Sequence, residues 1–379
     1  MAKRYLKNLD GLRFIAASAV AITHLENVKS YALPYSLKNR FITNAPQIAV
    51  TFFFVLSGFL IMWWFLEETN GNIKKINISS FYINRISRTW PLYFLVVFAS
   101  ITISYINGSL FADTVAKDRY FLYLLFMPNT ADVLYHSDIY LAPTWSLAVE
   151  EFFYALFPLF LVRIATGKLF RTLVIASAVF LFLSVLFNPV FINAIGRNHL
   201  ATGPVHYLTI FFERYRIYAF LLGALSAAII YFNKLDSFNF SAPLQKWMIY
   251  ITGSVALFLF LFGITFSFAT QQVYSVLFAF LLLLLTYRGY SNTWLNTGFF
   301  SMCGKISYGI YMLHMFIILR LANQLAFLFR FENFFMSTVV SWMLLLGLSW
   351  LLSYLSYKYF ENPVRNFIRS KFIFGKERI

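Results

Sequence analysis

The chain has 379 residues, 60% of them hydrophobic and only 12% charged, with a net charge of +16 and a mean hydropathy of +0.68. A soluble globular domain is nearer half apolar and a quarter charged, and a membrane barrel would alternate in strands of about ten residues. Long unbroken apolar runs exclude both and give the fold class: an all-α polytopic membrane protein, in one transmembrane domain over 1–379 with a core at about 9–365 and a short basic tail at 358–379.

A span needs about 20 mostly apolar residues. Ten stretches qualify: roughly 12–29, 47–66, 90–107, 145–163, 170–188, 214–232, 247–266, 272–288, 306–322 and 335–357. The N-terminal MAKRYLKNLDGLR is basic, but no small-residue cleavage site follows the first apolar run. That run is therefore expected to be a retained helix, not a cleaved leader. It opens with Arg13 and closes with His24. Eleven positions at about 100° each bring the two within roughly 20° of one helix face, about 16 Å apart along the axis. Ionisable groups inside a membrane are costly and tend to serve function. Read alone, Arg13 serves equally as a positive-inside anchor and His24 as an interfacial histidine.

Before the third span, NRISRTW sets Arg85 and Arg88 three apart. Such a guanidinium pair suits phosphate recognition, and it also suits simple anchoring. The run at 120–128 is too short to span and reads as a re-entrant or interfacial piece. In PTWSLAVEEFFY, Trp145 marks a membrane interface. Ser146 and Glu150, four apart, share a helix face. Glu150 falls at a depth similar to His24, which suggests a carboxylate orienting an imidazole. Glu151 points about 100° away and has the weaker claim. Two acids at a helix start also suit the helix dipole. Arg214 and Arg216, with Glu213, open the sixth span, and either arginine can snorkel outward. Ser307, Tyr311 and His314 form a polar stripe on the ninth.

One cysteine, Cys303, excludes an intramolecular disulfide and a cysteine-based metal site, and no metal is expected. The basic residues sit mainly in short loops, a membrane pattern and not a nucleic-acid surface. With the N-terminus inside, 21 of the 31 Lys and Arg fall on the cytoplasmic side and 10 outside. That bias expects both termini in the cytoplasm. No internal repeat or linker is evident.

Six stretches in order, LDGLRFIAASAVAITH, TFFFVLSGFLI, NRISRTWPLY, PTWSLAVEEFFY, ISYGIYMLH and YFENPVR, resemble the acyltransferase-3 family of membrane acyltransferases, and they run from residue 9 to 365. The resemblance implies a multi-pass enzyme of the bacterial inner membrane with about ten helices. It would move an acyl group, most often acetyl, from cytoplasmic acyl-coenzyme A to a hydroxyl of an envelope glycan such as lipopolysaccharide O-antigen or exopolysaccharide. Acyl-coenzyme A is a co-substrate, with no tightly bound cofactor expected. The partners expected are that donor, a glycan or lipid-linked glycan, and membrane lipid. His24 takes the catalytic position, with Glu150 as its partner. Arg13, Arg85 and Arg88 match donor-binding positions, leaving Trp145, Ser146, Tyr311, His314 and Arg216 for the acceptor. Relatives often carry a C-terminal hydrolase-like domain. None follows here, so direct transfer to the final acceptor is expected. The competing readings are a proton-coupled transporter, whose relays use the same residue types but often show repeats, a receptor or scaffold, and an acyltransferase for a small molecule.

Overall fold

A computed structural model describes residues 8–32, 37–194, 204–236, 241–290, 295–328 and 334–372. Lys3, Arg4, Lys7, Lys376 and Arg378, counted above toward the cytoplasmic side, lie outside them. The described residues are mostly helical, with turns between the helices and no strand among them. In chain order the helices are α1 (Asn8–Ala32), α2 (Arg40–Glu68) and α3 (Ile78–Ile106), then the short α4 (Ser109–Ala112), α5 (Ala116–Leu124) and α6 (Pro128–Tyr135). There follow α7 (Thr144–Leu161), α8 (Leu169–Leu186), α9 (Pro189–Ala194), α10 (Pro204–Tyr215), α11 (Ile217–Tyr231), α12 (Ala242–Leu261) and α13 (Thr270–Thr286). The last are α14 (Gly298–Leu328), α15 (Phe334–Ser356) and, after a π-helical turn at Tyr357–Glu361, α16 (Asn362–Phe372).

Among the described residues, eight helices are long and apolar enough to cross a membrane. The stretch at 12–29 lies within the 25-residue α1, which Asp10, Arg13, His24, Glu26 and Lys29 make too polar to qualify. The stretch expected at 214–232 is broken at Arg216, whose backbone is left-handed (φ 42, ψ 43), leaving α11 with 15 residues. The short piece expected near 120–128 is the α5–α6 hairpin. Large apolar side chains stand exposed on the long helices, among them Phe98 on α3, Phe182 on α8, Trp247 and Phe258 on α12, and Met343 on α15. Faces of that kind suit a lipid surround and not water.

The chain forms two compact units. The first holds 1–12, 39–76 and 156–297. Its α2 starts where Asn39 caps the Ile42 amide at 3.0 Å and is apolar over most of its surface, so most of its residues are buried. It crosses α11 backbone to backbone. A Cβ on Gly58 would lie 1.9 Å from the Phe220 carbonyl oxygen, and one on Gly223 would lie 1.9 Å from that of Val55. Small residues at a crossing permit this approach, the usual device for packing helices in membranes. Phe54 stacks on Phe220 at 4.7 Å beside it. Arg216 belongs to this unit. It is 4% exposed and donates to the Gln47 and Glu213 carbonyls, to Thr51 Oγ1 at 2.8 Å and to the Gln47 side chain. Those bonds hold the kink between α10 and α11.

The second unit holds 13–38, 77–155 and 298–379. Asn77 caps α3 on the Ser80 amide at 3.0 Å. α1, α14 and α15 share an apolar core of Ala21, Leu25, Met315, Ile317, Ile318 and Leu345. Around it runs a buried polar cluster. Glu26 Oε1 accepts from Lys29 Nζ at 2.9 Å and Trp342 Nε1 at 2.8 Å, and Glu26 Oε2 accepts from the Leu37 amide at 2.8 Å. Beyond α3, buried Asp138 accepts from Tyr120 Oη at 2.5 Å and Ser100 Oγ at 3.0 Å while capping the Tyr140 amide at 2.8 Å. Tyr123 Oη donates to Asp132 at 3.2 Å. Burial, reinforced by Asp138, holds the Tyr120 phenol above its ordinary value, and burial raises Tyr123 as well.

Candidate active site

Of the residues given a catalytic, donor-binding or acceptor-binding role from the sequence, all but Arg216 fall in the second unit, and Glu213 and Arg214 lie with Arg216 in the first. Arg13 and His24 ride on one uninterrupted helix, α1, so their common face and axial separation of about 16 Å follow from helix geometry.

At the Arg13 end, guanidinium groups converge. Arg88 lies within electrostatic reach of Arg13, Arg85 and Arg365. Glu361, on the π-helical turn, is in reach of Arg88 and Arg365. Glu361 Oε1 already accepts from Ser356 Oγ at 2.8 Å, and Arg365 donates to Asn362 Oδ1 at 2.6 Å. Arg85 lies over the Tyr154 ring at 4.6 Å and near that of Phe81 at 5.8 Å, flat contacts that suit a guanidinium. Among the described residues no carboxylate lies within ion-pair distance of Arg88. Planar guanidiniums gathered in this way are suited to phosphate. Arg365 escaped the sequence reading because only the packing of α16 on α3 brings it there. Its sole signal is its place in the YFENPVR stretch.

At the other end, His24 Nδ1 and His314 Nε2 are 2.8 Å apart. His314 Nδ1 lies 3.2 Å from the Ile310 carbonyl oxygen. His314 is fully buried, whereas His24 keeps some exposure. The Tyr311 ring is 6.0 Å from that of His314, centroid to centroid, and Tyr311 Oη meets Ser146 Oγ at 2.7 Å. Ser146 Oγ also donates to the Pro143 carbonyl at 3.2 Å. The stripe read on 306–322 thus places Tyr311 and His314 beside α1 and α7, while Ser307 turns back to the Gly304 carbonyl at 2.8 Å.

The expected pairing of His24 with Glu150 is not found. Tyr154 Oη donates to Glu150 Oε2 at 2.8 Å, and the hydrogen-bond partner of His24 is another imidazole. Equal depth on two helices says nothing about the direction in which each side chain points. Glu151, given the weaker claim, is itself held by two side chains. It accepts from Thr89 Oγ1 at 2.8 Å and Trp90 Nε1 at 3.3 Å. Asn129 Nδ2 donates to the Trp145 carbonyl at 3.1 Å at the start of α7.

The chemistry available is therefore a largely buried imidazole held by a second one, separated along α1 from a cluster of arginines. Among the described residues no three His, Cys, Asp or Glu gather as metal ligands would.

A family model described as an acyltransferase domain matches residues 6–358. YrhL of Bacillus subtilis (strain 168), named provisionally as a peptidoglycan O-acetyltransferase, is 31% identical over 203 residues, covering 49% of this chain and 29% of YrhL. The O-acetyltransferase OatA of Staphylococcus aureus (strain NCTC 8325 / PS 47) is 28% identical over 197 residues, covering 49% of this chain and 30% of OatA. The match thus spans under a third of the length of either relative. No solved structure matches the chain.

Proposed function

Because this chain belongs to the acyltransferase-3 family, we propose that it is a membrane O-acyltransferase that moves an acetyl group from cytoplasmic acetyl-coenzyme A to a hydroxyl of an envelope glycan. The observation that carries the reading is that one helix, α1, joins a phosphate-suited arginine cluster, through Arg13, to an imidazole, His24. In this account Arg13, Arg85, Arg88 and Arg365 hold the phosphates of the donor, and its pantetheine arm runs along α1 toward His24. His24 accepts the proton of the acceptor hydroxyl as the oxygen attacks the thioester carbonyl. The tetrahedral intermediate collapses, the C–S bond breaks, and the imidazolium returns the proton to the departing thiolate. The products are the O-acetyl ester and coenzyme A. Tyr311 and Ser146 line the acceptor side.

The name of YrhL favours peptidoglycan over lipopolysaccharide as the glycan. The basic bias of the loops favours a multi-pass protein of the bacterial inner membrane with both termini in the cytoplasm. Cysteines placed at Asn72 and Lys371 should then resist an impermeant thiol reagent in intact cells.

The deciding experiment is mass spectrometry of peptidoglycan and surface polysaccharide from cells with and without the chain. One additional acetyl group on a defined sugar supports the reading. Identical glycans in both, with the protein expressed and inserted, overturn it.

A further inference from the structure

We propose that His314 is a positioning residue that fixes the tautomer of His24, so that Nε2 of His24 is the basic nitrogen. The proposal rests on the reading of His24 as general base. It begins from the hydrogen bonds and needs nothing from the substrate.

A carbonyl oxygen only accepts. The contact between His314 Nδ1 and the Ile310 carbonyl at 3.2 Å therefore puts a proton on Nδ1. His314 is fully buried, and its two nitrogens meet only backbone carbonyls, those of Ile310 and Tyr311, and an imidazole. A charged ring there would lack a counter-ion, so His314 is neutral. A neutral ring protonated on Nδ1 presents a lone pair at Nε2. That lone pair faces His24 Nδ1 at 2.8 Å, so His24 Nδ1 is the donor. His24, neutral in turn, keeps its own lone pair on Nε2, which has no hydrogen-bond partner among the described residues. The order of bonds runs from the Ile310 carbonyl through two rings to one basic nitrogen, Nε2 of His24.

The ring geometry supports a directed bond. The centroids are 5.1 Å apart and the planes differ by 17°. With 2.8 Å between the nitrogens, the remainder is about one ring radius on each side. The imidazoles therefore lie edge to edge and nearly coplanar, and the N–H of one points along the in-plane lone pair of the other, the strong arrangement. Both backbones are fixed by the shared core of Ala21, Leu25, Met315 and Ile318.

The consequence concerns the chemical step. When His24 Nε2 takes the hydroxyl proton, its ring becomes cationic, and the bond from Nδ1–H to His314 becomes charge-assisted and stronger. His314 thus supports the imidazolium and holds the ring in the useful tautomer, the orienting role an aspartate fills in serine hydrolases. A neutral partner does so with no buried negative charge. It also answers why the histidine of the ISYGIYMLH stretch stands where it does: seven residues after Ser307 and three after Tyr311, on the face turned to α1.

The test has two arms. Wild-type protein carrying 15N-labelled histidine, in lipid nanodiscs, reports tautomers directly through the ring nitrogen shifts, with the signal of His24 identified by its loss in His24→Gln. The expected result is His24 protonated on Nδ1 and bare on Nε2. His24 protonated on Nε2 would overturn the proposal whatever the enzyme does. His314→Gln keeps an acceptor near the place of Nε2 and should keep the tautomer, whereas His314→Asn, which reaches only to the place of Nδ1, and His314→Leu should release it.

The second arm measures thioester turnover with acetyl-coenzyme A and soluble peptidoglycan fragments. His314→Leu and His314→Asn should lower kcat by roughly 10² to 10⁴, the range for loss of a base or its orientation. KM for acetyl-coenzyme A should be unchanged, and His314→Gln should recover most of the rate. Equal rates in the Leu and Gln variants would contradict the positioning role. If the tautomer is as proposed but His24→Gln is fully active, the general-base reading fails and the histidine geometry stands.

Discussion

Replacing Lys29 by methionine should destabilise the protein more than replacing Lys29 and Glu26 together. The two form a buried ion pair, with Glu26 fully buried, Lys29 4% exposed and 2.9 Å between Nζ and Oε1. Lys29→Met leaves the Glu26 carboxylate with two neutral donors, Trp342 Nε1 and the Leu37 amide, and no cation. Removing one member of a buried pair costs about 3–5 kcal/mol, because the other charge stays desolvated. Glu26→Gln should cost a similar amount, since Lys29 would then keep its charge with only neutral acceptors, an amide oxygen and Ser341 Oγ at 3.4 Å. The double variant Glu26→Gln/Lys29→Met buries no charge and retains an amide oxygen for Trp342, so it should regain most of the loss. Thermal unfolding in detergent micelles, followed by tryptophan fluorescence, should rank wild type first, the double variant next and both single variants last. A double variant whose loss equals the sum of the two single losses would refute the pairing. The pair sits one turn beyond His24 and ties α1 to α15, so the single variants should also slow turnover.

Three further outcomes follow from the same geometry. Arg88→Ala and Arg365→Ala should each raise KM for acetyl-coenzyme A several-fold or more, with lysine rescuing only part because it lacks the planar fork; unchanged donor kinetics in both would reduce the cluster to membrane anchors. Gly58→Leu should prevent α2 and α11 from meeting, because even a Cβ falls 1.9 Å from the Phe220 carbonyl oxygen, and the variant should lose its folded fraction in size-exclusion chromatography. The third outcome concerns Tyr120 and Tyr123, whose raised values mean that the native state keeps phenol protons the unfolded chain gives up. Their contribution to stability is thus full below about pH 10, the unperturbed value, and is lost as pH rises through the folded values. Tyr120→Phe should flatten that alkaline loss in a denaturation series.

Much of the helical layout was legible because apolar length alone decides what spans a bilayer. The break at Arg216 was not, since a left-handed backbone at a residue other than glycine has no local sequence signal. It exists because Gln47, Thr51 and Glu213 hold the guanidinium. In the site, Arg13 with His24 could be read from one helix period, as could Tyr311 with His314. Pairings between helices could not. Glu150 and His24 were matched by depth, whereas packing turns His24 to His314 and Tyr154 to Glu150. Arg365 and Glu361 were hidden for a similar reason: only the π-helical turn and the return of α16 to α3 bring the tail against the arginines near Arg13.

The account turns on His24, and the most direct test is transfer of radiolabelled acetyl from acetyl-coenzyme A to peptidoglycan fragments by purified protein in proteoliposomes. Wild type should form an alkali-labile ester. His24→Ala should insert normally and bind acetyl-coenzyme A as wild type does, yet transfer roughly 10² to 10⁴ more slowly, the range for loss of a general base. A folded His24→Ala protein that transfers acetyl at the wild-type rate would contradict the account.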